Sequence, residues 1–149
     1  MKMKVLRMYD DVKMPVKANL TDSGFDVFVH SIHDCDSRLK VLFPGDRVLV
    51  KTGLKVTVGP GYEIQVRPRS GNALKKGLTV LNSPGTIDEA YRGEAGIIII
   101  NLSDNPQSIT VGDKIAQLVV CPVILAEIEE VKELDSTVRD VGGFGHTGN

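Results

Sequence analysis

The sequence has little cysteine, and its placement predicts neither a disulfide framework nor a zinc motif. The two residues, Cys35 and Cys121, stand far apart, and no C-x-x-C pair occurs. Their spacing to His30, His33 and His146 does not match that of zinc ligands. We therefore expect both cysteines to be free thiols of a reducing compartment.

The sequence also lacks a charge excess and a long apolar run. The formal net charge of -1 over 149 residues provides no global positive field for nucleic acid or an anionic membrane. No stretch approaches the roughly 20 apolar residues of a membrane span, and the N-terminal MKMKVLRMYDD does not resemble a signal peptide. We expect one cytoplasmic domain, or a nuclear or host-cell one if the source is eukaryotic or viral, with neither nucleic acid nor membrane as a partner.

Alternation of apolar and polar residues predicts β-strands along most of the chain. In GLKVTVG (53–59) and YEIQVRP (62–68) every second residue is apolar, which is typical of strands with one buried face. Apart from Asn101 and Gln117, GIIIIN (96–101) and AQLVVCPV (116–123) carry no strongly polar residue, which predicts strands covered on both faces. Turn-forming clusters of proline, glycine and aspartate separate these runs. The pattern predicts an all-β barrel or sandwich, and the many short strands favour a closed or jelly-roll architecture, which limits exposed edges.

One segment breaks this pattern and predicts a single short helix. RSGNALKKGL runs from Arg69 to Leu78, with Ser70 as a suitable N-cap and Gly77 suited to the position beyond the last turn. Unpaired N–H groups at a helix N-terminus, beside Arg67 and Arg69, favour phosphate oxygens. The alternative is a capped surface helix with solvated arginines, and these residues alone leave both interpretations open.

The segment NSPGTIDEAYRGEAG, from Asn82 to Gly96, contains a candidate general base. Pro84-Gly85 predicts a tight turn, since proline fixes φ and glycine tolerates positive φ, and a hairpin is expected to follow. Asp88 stands among apolar and aromatic neighbours, where a carboxylate can act on water. The alternative is a turn aspartate that caps its own backbone.

The last run, RDVGGFGHTGN (139–149), fits the spacing G-x-G-x-x-G at Gly143, Gly145 and Gly148. A dinucleotide-binding loop needs a strand before it and a helix after it, and this run has neither, so the match is accidental. Glycines around one aromatic ring and several side chains that can donate hydrogen bonds to phosphate predict a flexible arm that closes over a ligand. The alternative is a frayed terminus.

Five motifs follow one another along the chain: SGFDV (23–27), RPRSGNALKKG (67–77), GTIDEAYRGE (85–94), GDKIAQLV (112–119) and RDVGGFGHTG (139–148). In order and spacing they resemble the five-motif pattern of the trimeric deoxyuridine triphosphatases, the dUTPases, over nearly the whole chain. The resemblance implies one all-β dUTPase domain over 1–149, with a jelly-roll-like β-barrel core at 1–135 and a C-terminal arm at 136–149. It also implies a homotrimer whose active sites each draw on all three chains, so that the arm is a lid lent to a neighbour.

The resemblance further implies hydrolysis of dUTP to dUMP and pyrophosphate, which lowers dUTP and supplies dUMP for thymidylate synthesis. Asp88 matches the carboxylate that activates the water attacking the α-phosphorus. Mg²⁺ is the implied cofactor, and we expect substrate phosphates and waters to hold it, with no direct protein ligand. Asp26, in the first motif, has either a supporting role near the sugar or the metal waters, or a structural role.

Substrate-binding residues carry over from the same motifs. The third motif is implied to read uracil through its main chain and to pack Tyr91 beneath the deoxyribose. The helix motif and Gln117 are implied to contact the phosphates, and the arm to stack Phe144 on uracil. The implied substrate-binding residues are Arg69, Ser70, Gly71, Asn82, Gly85, Thr86, Ile87, Tyr91, Gly96, Gln117, Arg139, Phe144, Gly145, His146 and Thr147.

Departures from the pattern remove no catalytic group. Asn72 replaces a frequent leucine, Asp140-Val141 replaces a glycine-containing start of the arm, and His146 stands where serine is common. One alternative is a dCTP deaminase, which shares the fold and trimer but differs in its helix motif and base-reading residues. Another is a non-catalytic interaction protein on this scaffold, which the intact Asp88 disfavours.

Overall fold

The structure is a computed structural model that describes residues 1–143. Within this range the chain forms twelve strands and one helix. The elements are β1 (Lys4–Arg7), β2 (Gly24–Phe28), β3 (Ser31–Ile32), β4 (Leu39–Leu42), β5 (Arg47–Lys51), β6 (Leu54–Thr57), β7 (Tyr62–Pro68), α1 (Ser70–Lys76), β8 (Leu78–Val80), β9 (Gly85–Ile87), β10 (Gly96–Asn101), β11 (Gln107–Thr110) and β12 (Lys114–Pro122).

The strands form four antiparallel sheets. Two sheets have four strands each, in the orders β3-β5-β10-β8 and β2-β12-β7-β9, and the pairs β1-β6 and β11-β4 form two smaller sheets. The predicted all-β fold of jelly-roll type with one short helix is confirmed, although in residues 1–143 the sheets do not close into one continuous barrel.

The hydrophobic core draws on both four-stranded sheets. Val27, Ile64 and Leu118 of one sheet, and Val50 and Ile97 of the other, are each at most 1% exposed. Each such side chain contributes about 1.5–3 kcal/mol when it is fully buried. The core therefore anchors β2, β7 and β12, and several predicted site residues lie on these strands or directly after them.

Alternation along two strands is confirmed, and double-sided coverage of a third is not. β6 and β7 bury every second residue, as their sequences predict. In β10, Ile97 and Ile99 are buried, whereas Ile98 and Ile100 are only half-buried. The expectation that this strand is covered on both faces is therefore wrong for the single chain, because only one face packs on the core.

Helix α1 confirms the predicted segment but corrects its N-cap. Arg69 occupies the cap position in an extended conformation, with φ -95° and ψ 129°, and no side chain caps the helix. Ser70 is the first helical residue, since the chain leaves β7 extended through Arg69. Gly77 ends the helix in the left-handed conformation, and its N–H donates to the carbonyl of Ala73, as predicted.

The predicted hairpin between Asn82 and Gly96 is wrong as a strand pairing. β9 pairs with β7, while β10 pairs with β5 and β8, so the segment crosses from one sheet to the other. Gly85 is not in a positive-φ turn; it begins β9 and is buried against Val66. A Cβ there would lie 3.2 Å from the Val66 Cβ, so glycine serves close packing here rather than turn geometry.

Candidate active site

One end of the sheet β2-β12-β7-β9 carries a cluster of one carboxylate and two cations, which we call the Asp26 cluster: Asp26, Arg69 and Lys114. Arg69 Nε lies 2.8 Å from Asp26 Oδ1, and Lys114 Nζ lies 2.9 Å from Asp26 Oδ2. The Asp26 side chain is 17% exposed, so water screens these ion pairs less than it screens ion pairs on a fully exposed surface. Two cations on one carboxylate leave the cluster with a net positive charge, which suits an anionic ligand.

Gln117 lies beside this cluster because of strand register. On β12 it is the direct neighbour of Asp26 on β2 and of Arg67 on β7. Its Nε2 donates to the carbonyl of Pro68, 3.0 Å away. A Cβ on Gly24 would overlap the Gln117 amide, so the glycine of the first motif makes room for the glutamine of the fourth.

The first turn of α1 is tied to the start of β12. Asn72 Nδ2 donates to the carbonyl of Lys114, 3.1 Å away, and lies 3.5 Å from that of Ile115. Ser70 and Gly71 are exposed at the same turn, where N–H groups have no partner within the helix. The turn is thus fixed in place with its polar groups open to a ligand.

Asp88 follows β9 and borders a shallow cavity of about 250 Å³ at the other end of β7. The residue is exposed, and within residues 1–143 its carboxylate makes no hydrogen bond. The interpretation as an aspartate that caps its own backbone therefore finds no support. An uncommitted carboxylate is what a general base requires.

Tyr91 is connected to Asp88 through the backbone. The N–H of Tyr91 donates to the carbonyl of Asp88, 3.1 Å away, and its hydroxyl donates to the carbonyl of Glu94, 3.0 Å away. Tyr91 as a whole residue remains 46% exposed, which leaves it accessible to a ligand.

The remaining residues of the third motif divide by burial. Asn82, Thr86 and Gly96 are exposed, whereas Ile87 is 7% exposed and packs in the core. Ile87 can therefore meet a ligand only through its main chain. β9 is an edge strand of its sheet, so main-chain groups on its outer side have no strand partner in the part of the chain that is described.

The two groups of predicted residues lie at opposite ends of β7. Ile64 pairs with Ile87, which places Asp88 beside Glu63. Arg69 follows Glu63 by six residues, which corresponds to about 20 Å of extended chain. A single chain therefore does not bring Asp88 to its own Arg69.

The C-terminal segment contributes no strand or helix up to residue 143. The last strand ends at Pro122, before the predicted boundary at 135, and residues 124–141 are all exposed. Arg139 bonds to the carbonyl of Gly142 through Nε, at 2.9 Å. The predicted arm residues Phe144, Gly145, His146 and Thr147 lie outside the described residues.

Sequence reasoning missed three residues that support the site. Lys114 lies in the fourth motif and Gly24 in the first, but only the strand register brings them to Asp26 and Gln117. The third is Glu94, whose carboxylate accepts the N–H of Gly53 at 2.7 Å, a contact across 41 residues that no local pattern indicates.

Other chemistry is limited in the part of the chain that the structure describes. Cys35 and Cys121 are both free, as predicted. No group of three or more histidine, cysteine or acidic side chains in residues 1–143 has the geometry to hold a metal ion. No helix among those residues is both long and apolar enough to span a membrane.

A cationic cluster that can hold phosphates and a free carboxylate that can act on water are the parts that an all-β phosphohydrolase needs. The sequence profile of the dUTPase family matches residues 10–148. The chain therefore belongs to the dUTPase family, as its five motifs indicate.

Relatives and solved structures agree with this assignment. The chain is 50% identical over 148 residues to the deoxyuridine 5'-triphosphate nucleotidohydrolase of a Hydrogenobaculum species, covering 99% of both proteins. It is 48% identical to that of Syntrophotalea carbinolica, covering 97% of the chain and 95% of the relative. Its fold matches the Staphylococcus bacteriophage 80alpha dUTPase with dUpNHpp, with a TM-score of 0.86, 27% identity and 99% coverage of both chains.

A mutant dUTPase from phage phi11 of S. aureus, solved to show how it coordinates a structural Mg(II) ion, has a TM-score of 0.77 and 26% identity. The match covers 91% of this chain and 100% of that one. Together these findings show an enzyme that hydrolyses dUTP, and they favour the nucleotidohydrolase over the dCTP deaminase alternative.

Proposed function

We propose that the enzyme cleaves dUTP to dUMP and pyrophosphate, with Asp88 as the general base. The carboxylate accepts a proton from a water molecule while the water oxygen bonds to the α-phosphorus. The bond from that phosphorus to the α–β bridging oxygen then breaks, and pyrophosphate leaves. The observation that carries the proposal is the exposed Asp88 carboxylate, which no hydrogen bond within residues 1–143 commits to another role.

The complete site requires more than one chain. Because about 20 Å of strand separates Asp88 from Arg69 of the same chain, a neighbour must supply the phosphate-binding half of each site. A closed three-fold arrangement gives three equivalent composite sites. The homotrimer implied by the motifs accounts for this geometry, with the C-terminal arm of the third chain as a lid.

The Asp26 cluster and the start of α1 form the phosphate half. Arg69, Ser70 and Gly71 contact the phosphates, with Ser70 near the α–β bridging oxygen where charge accumulates as the bond breaks. Gln117 reaches the same phosphates or the waters around them. Asp26 supports this half by orienting Arg69 through the 2.8 Å bond to its Nε.

The stretch from Asn82 to Gly96 forms the nucleoside half. The main chain around Gly85, Thr86 and Ile87 complements the acceptor, donor and acceptor groups on the edge of uracil, since β9 is an edge strand. Cytosine presents a different pattern and leaves buried groups unpaired, at a cost of about 1–3 kcal/mol for each. Tyr91 lies beneath the deoxyribose and leaves no room for a 2′-hydroxyl.

Mg²⁺ fits this site as a companion of the substrate. Asp26 already accepts from two cations, and residues 1–143 hold no carboxylate group arranged as a direct cage. This donor set suits an ion held by phosphate oxygens and waters, with Asp26 accepting from those waters. When bound, the ion neutralises charge on the phosphate oxygens.

The C-terminal arm completes the proposed site. Arg139 is the described arm residue assigned to the phosphates; Phe144 is assigned to stack on uracil, and Gly145, His146 and Thr147 to the β- and γ-phosphates.

Hydrolysis lowers dUTP and supplies dUMP for thymidylate synthesis. We propose that the enzyme acts in the cytoplasm, or in the nucleus or host cell of a eukaryotic or viral source.

Asp88→Asn tests the proposed base. The substitution keeps size and polarity but removes proton acceptance, so we expect turnover to be lost while binding of a non-hydrolysable dUTP analogue is retained. Pyrophosphate release measures the first quantity and calorimetry the second. Hydrolysis by the variant at the wild-type rate would show that another group activates the water.

A further inference from the structure

Glu94 forms a link between the end of the third motif and the turn that joins β5 to β6. Its Oε1 accepts the N–H of Gly53 at 2.7 Å, in a partly buried position. Gly53 itself is firmly held: its carbonyl accepts the N–H of Met8 at 2.8 Å, and an added Cβ would collide with Val12. Glu94 is thus fastened to a fixed part of the fold.

The same residue receives the Tyr91 hydroxyl. Tyr91 Oη donates to the carbonyl of Glu94 at 3.0 Å, and the ring lies so close to Gly93 that a Cβ there would overlap it. Gly93 permits wide backbone rotation between the two residues. The peptide that carries the Glu94 carbonyl is held from its other side, because the N–H of Ala95 donates to the carbonyl of Leu54. The Glu94 side chain instead fixes the backbone just before that carbonyl, and with it the position of the Tyr91 ring against its acceptor.

We propose that Glu94 is a positioning residue for Tyr91, and that it sets how strongly the enzyme prefers deoxyribose to ribose. The proposal rests on the proposed function, in which Tyr91 packs beneath the sugar. A Tyr91 ring that is held in place excludes the 2′-hydroxyl of ribose by steric contact. A ring that has lost its hydrogen bond to the Glu94 carbonyl can move aside and admit that hydroxyl. Glu94 acts through the ring and does not touch the nucleotide.

Loss of the carboxylate leaves the surrounding chain attached. Thr52 Oγ1 donates to the carbonyl of Ala95 at 2.7 Å, and the N–H of Ala95 donates to the carbonyl of Leu54 at 2.8 Å. Both bonds remain when Glu94 is shortened to alanine. We therefore expect Glu94→Ala to fold, with its main effect on the preceding turn.

The test compares kcat/KM for dUTP with kcat/KM for UTP. For Glu94→Ala we expect this ratio to fall about tenfold, mainly through faster UTP hydrolysis relative to dUTP. Tyr91→Phe, which keeps the ring but removes the hydroxyl, should lower the ratio in the same direction. Glu94→Gln should keep the ratio, because its amide oxygen can still accept the N–H of Gly53.

Asp46→Ala is the matched control. Asp46 Oδ2 also accepts a main-chain N–H, that of Phe43 at 2.9 Å, but it lies in another turn. The control should lower stability without changing the ratio. If UTP turnover is too slow to measure, the inhibition constants of UMP and dUMP against dUTP hydrolysis give the same comparison.

A double-mutant cycle decides between a positioning and a merely structural role. In a Tyr91→Ala background, Glu94→Ala should leave the ratio unchanged, because the ring through which Glu94 acts is gone. The inference is overturned if Glu94→Ala slows both substrates equally, or if it lowers the ratio further in that background. If Tyr91→Ala itself preserves the ratio, it is the proposed role of Tyr91 that fails.

Discussion

Replacing Gly24 by alanine tests whether Gln117 needs the space that this glycine of the first motif leaves for its side chain. The new Cβ would lie 3.0 Å from Cδ and 3.2 Å from Cβ of Gln117, and it would overlap the amide oxygen. The glutamine must therefore move, and its hydrogen bond to the carbonyl of Pro68 is lost. Overpacking costs about 1–3 kcal/mol, so we expect the free energy of unfolding to fall by about 2 kcal/mol.

Activity should suffer along with stability. Displacement of Gln117 would also remove its proposed hydrogen bond to a charged phosphate, and such a bond is worth about 1.5–3 kcal/mol. That amount corresponds to a loss of about 10–150-fold in kcat/KM. Steady-state pyrophosphate release measures the rate, and urea unfolding confirms that the variant is folded under the assay conditions.

Gly59→Ala provides the control for Gly24→Ala. No atom lies within 4 Å of a Cβ at Gly59, and its φ is not positive, so stability should stay within about 0.5 kcal/mol of wild type. If Gly24→Ala is folded and hydrolyses dUTP as fast as the Gly59→Ala control, Gln117 does not need this space and its assigned role is wrong.

Two further predictions concern the Asp26 cluster and the arm. Asp26→Asn should lower the free energy of unfolding by about 1–2 kcal/mol, because Arg69 and Lys114 lose their shared carboxylate. This range is already reduced for the partial exposure of the three side chains. Equal unfolding midpoints in urea for this variant and for the exposed-site control Asp104→Asn would contradict the cluster's role. Truncation before Arg139 should leave a folded protein, since residues 124–141 are all exposed. Its activity should be low, because the proposed lid is missing. Full dUTP hydrolysis by the truncated protein would rule out the lid.

Local sequence pattern predicted the strands well because their chemistry is local. The alternation in 53–59 and 62–68 depends only on which face meets the core, and Gly77 ends α1 where its left-handed conformation is needed. The Ser70 cap failed for a local reason as well, since the extended residue that leaves β7 is Arg69.

Pairing between distant segments could not be predicted from the same pattern. The turn at Pro84-Gly85 resembles a hairpin signal, but β9 finds a better partner in β7, where Gly85 fits closely against Val66. The contacts of Lys114 with Asp26 likewise depend on the register of β12 against β2. Motif resemblance supplied the candidate residues and implied a site shared between chains, and the sheet register adds that Asp88 and Arg69 lie at opposite ends of β7.

The composite site is tested most directly by mixing two inactive variants. Asp88→Asn lacks the proposed base and Arg69→Ala lacks a proposed phosphate-binding group, so each variant alone should be inactive. When the two are unfolded and refolded together, about one quarter of the sites in random trimers should combine an intact Asp88 from one chain with an intact Arg69 from its neighbour. We predict that pyrophosphate release from dUTP returns in the mixture, whereas a mixture as inactive as its components would contradict a site shared between chains.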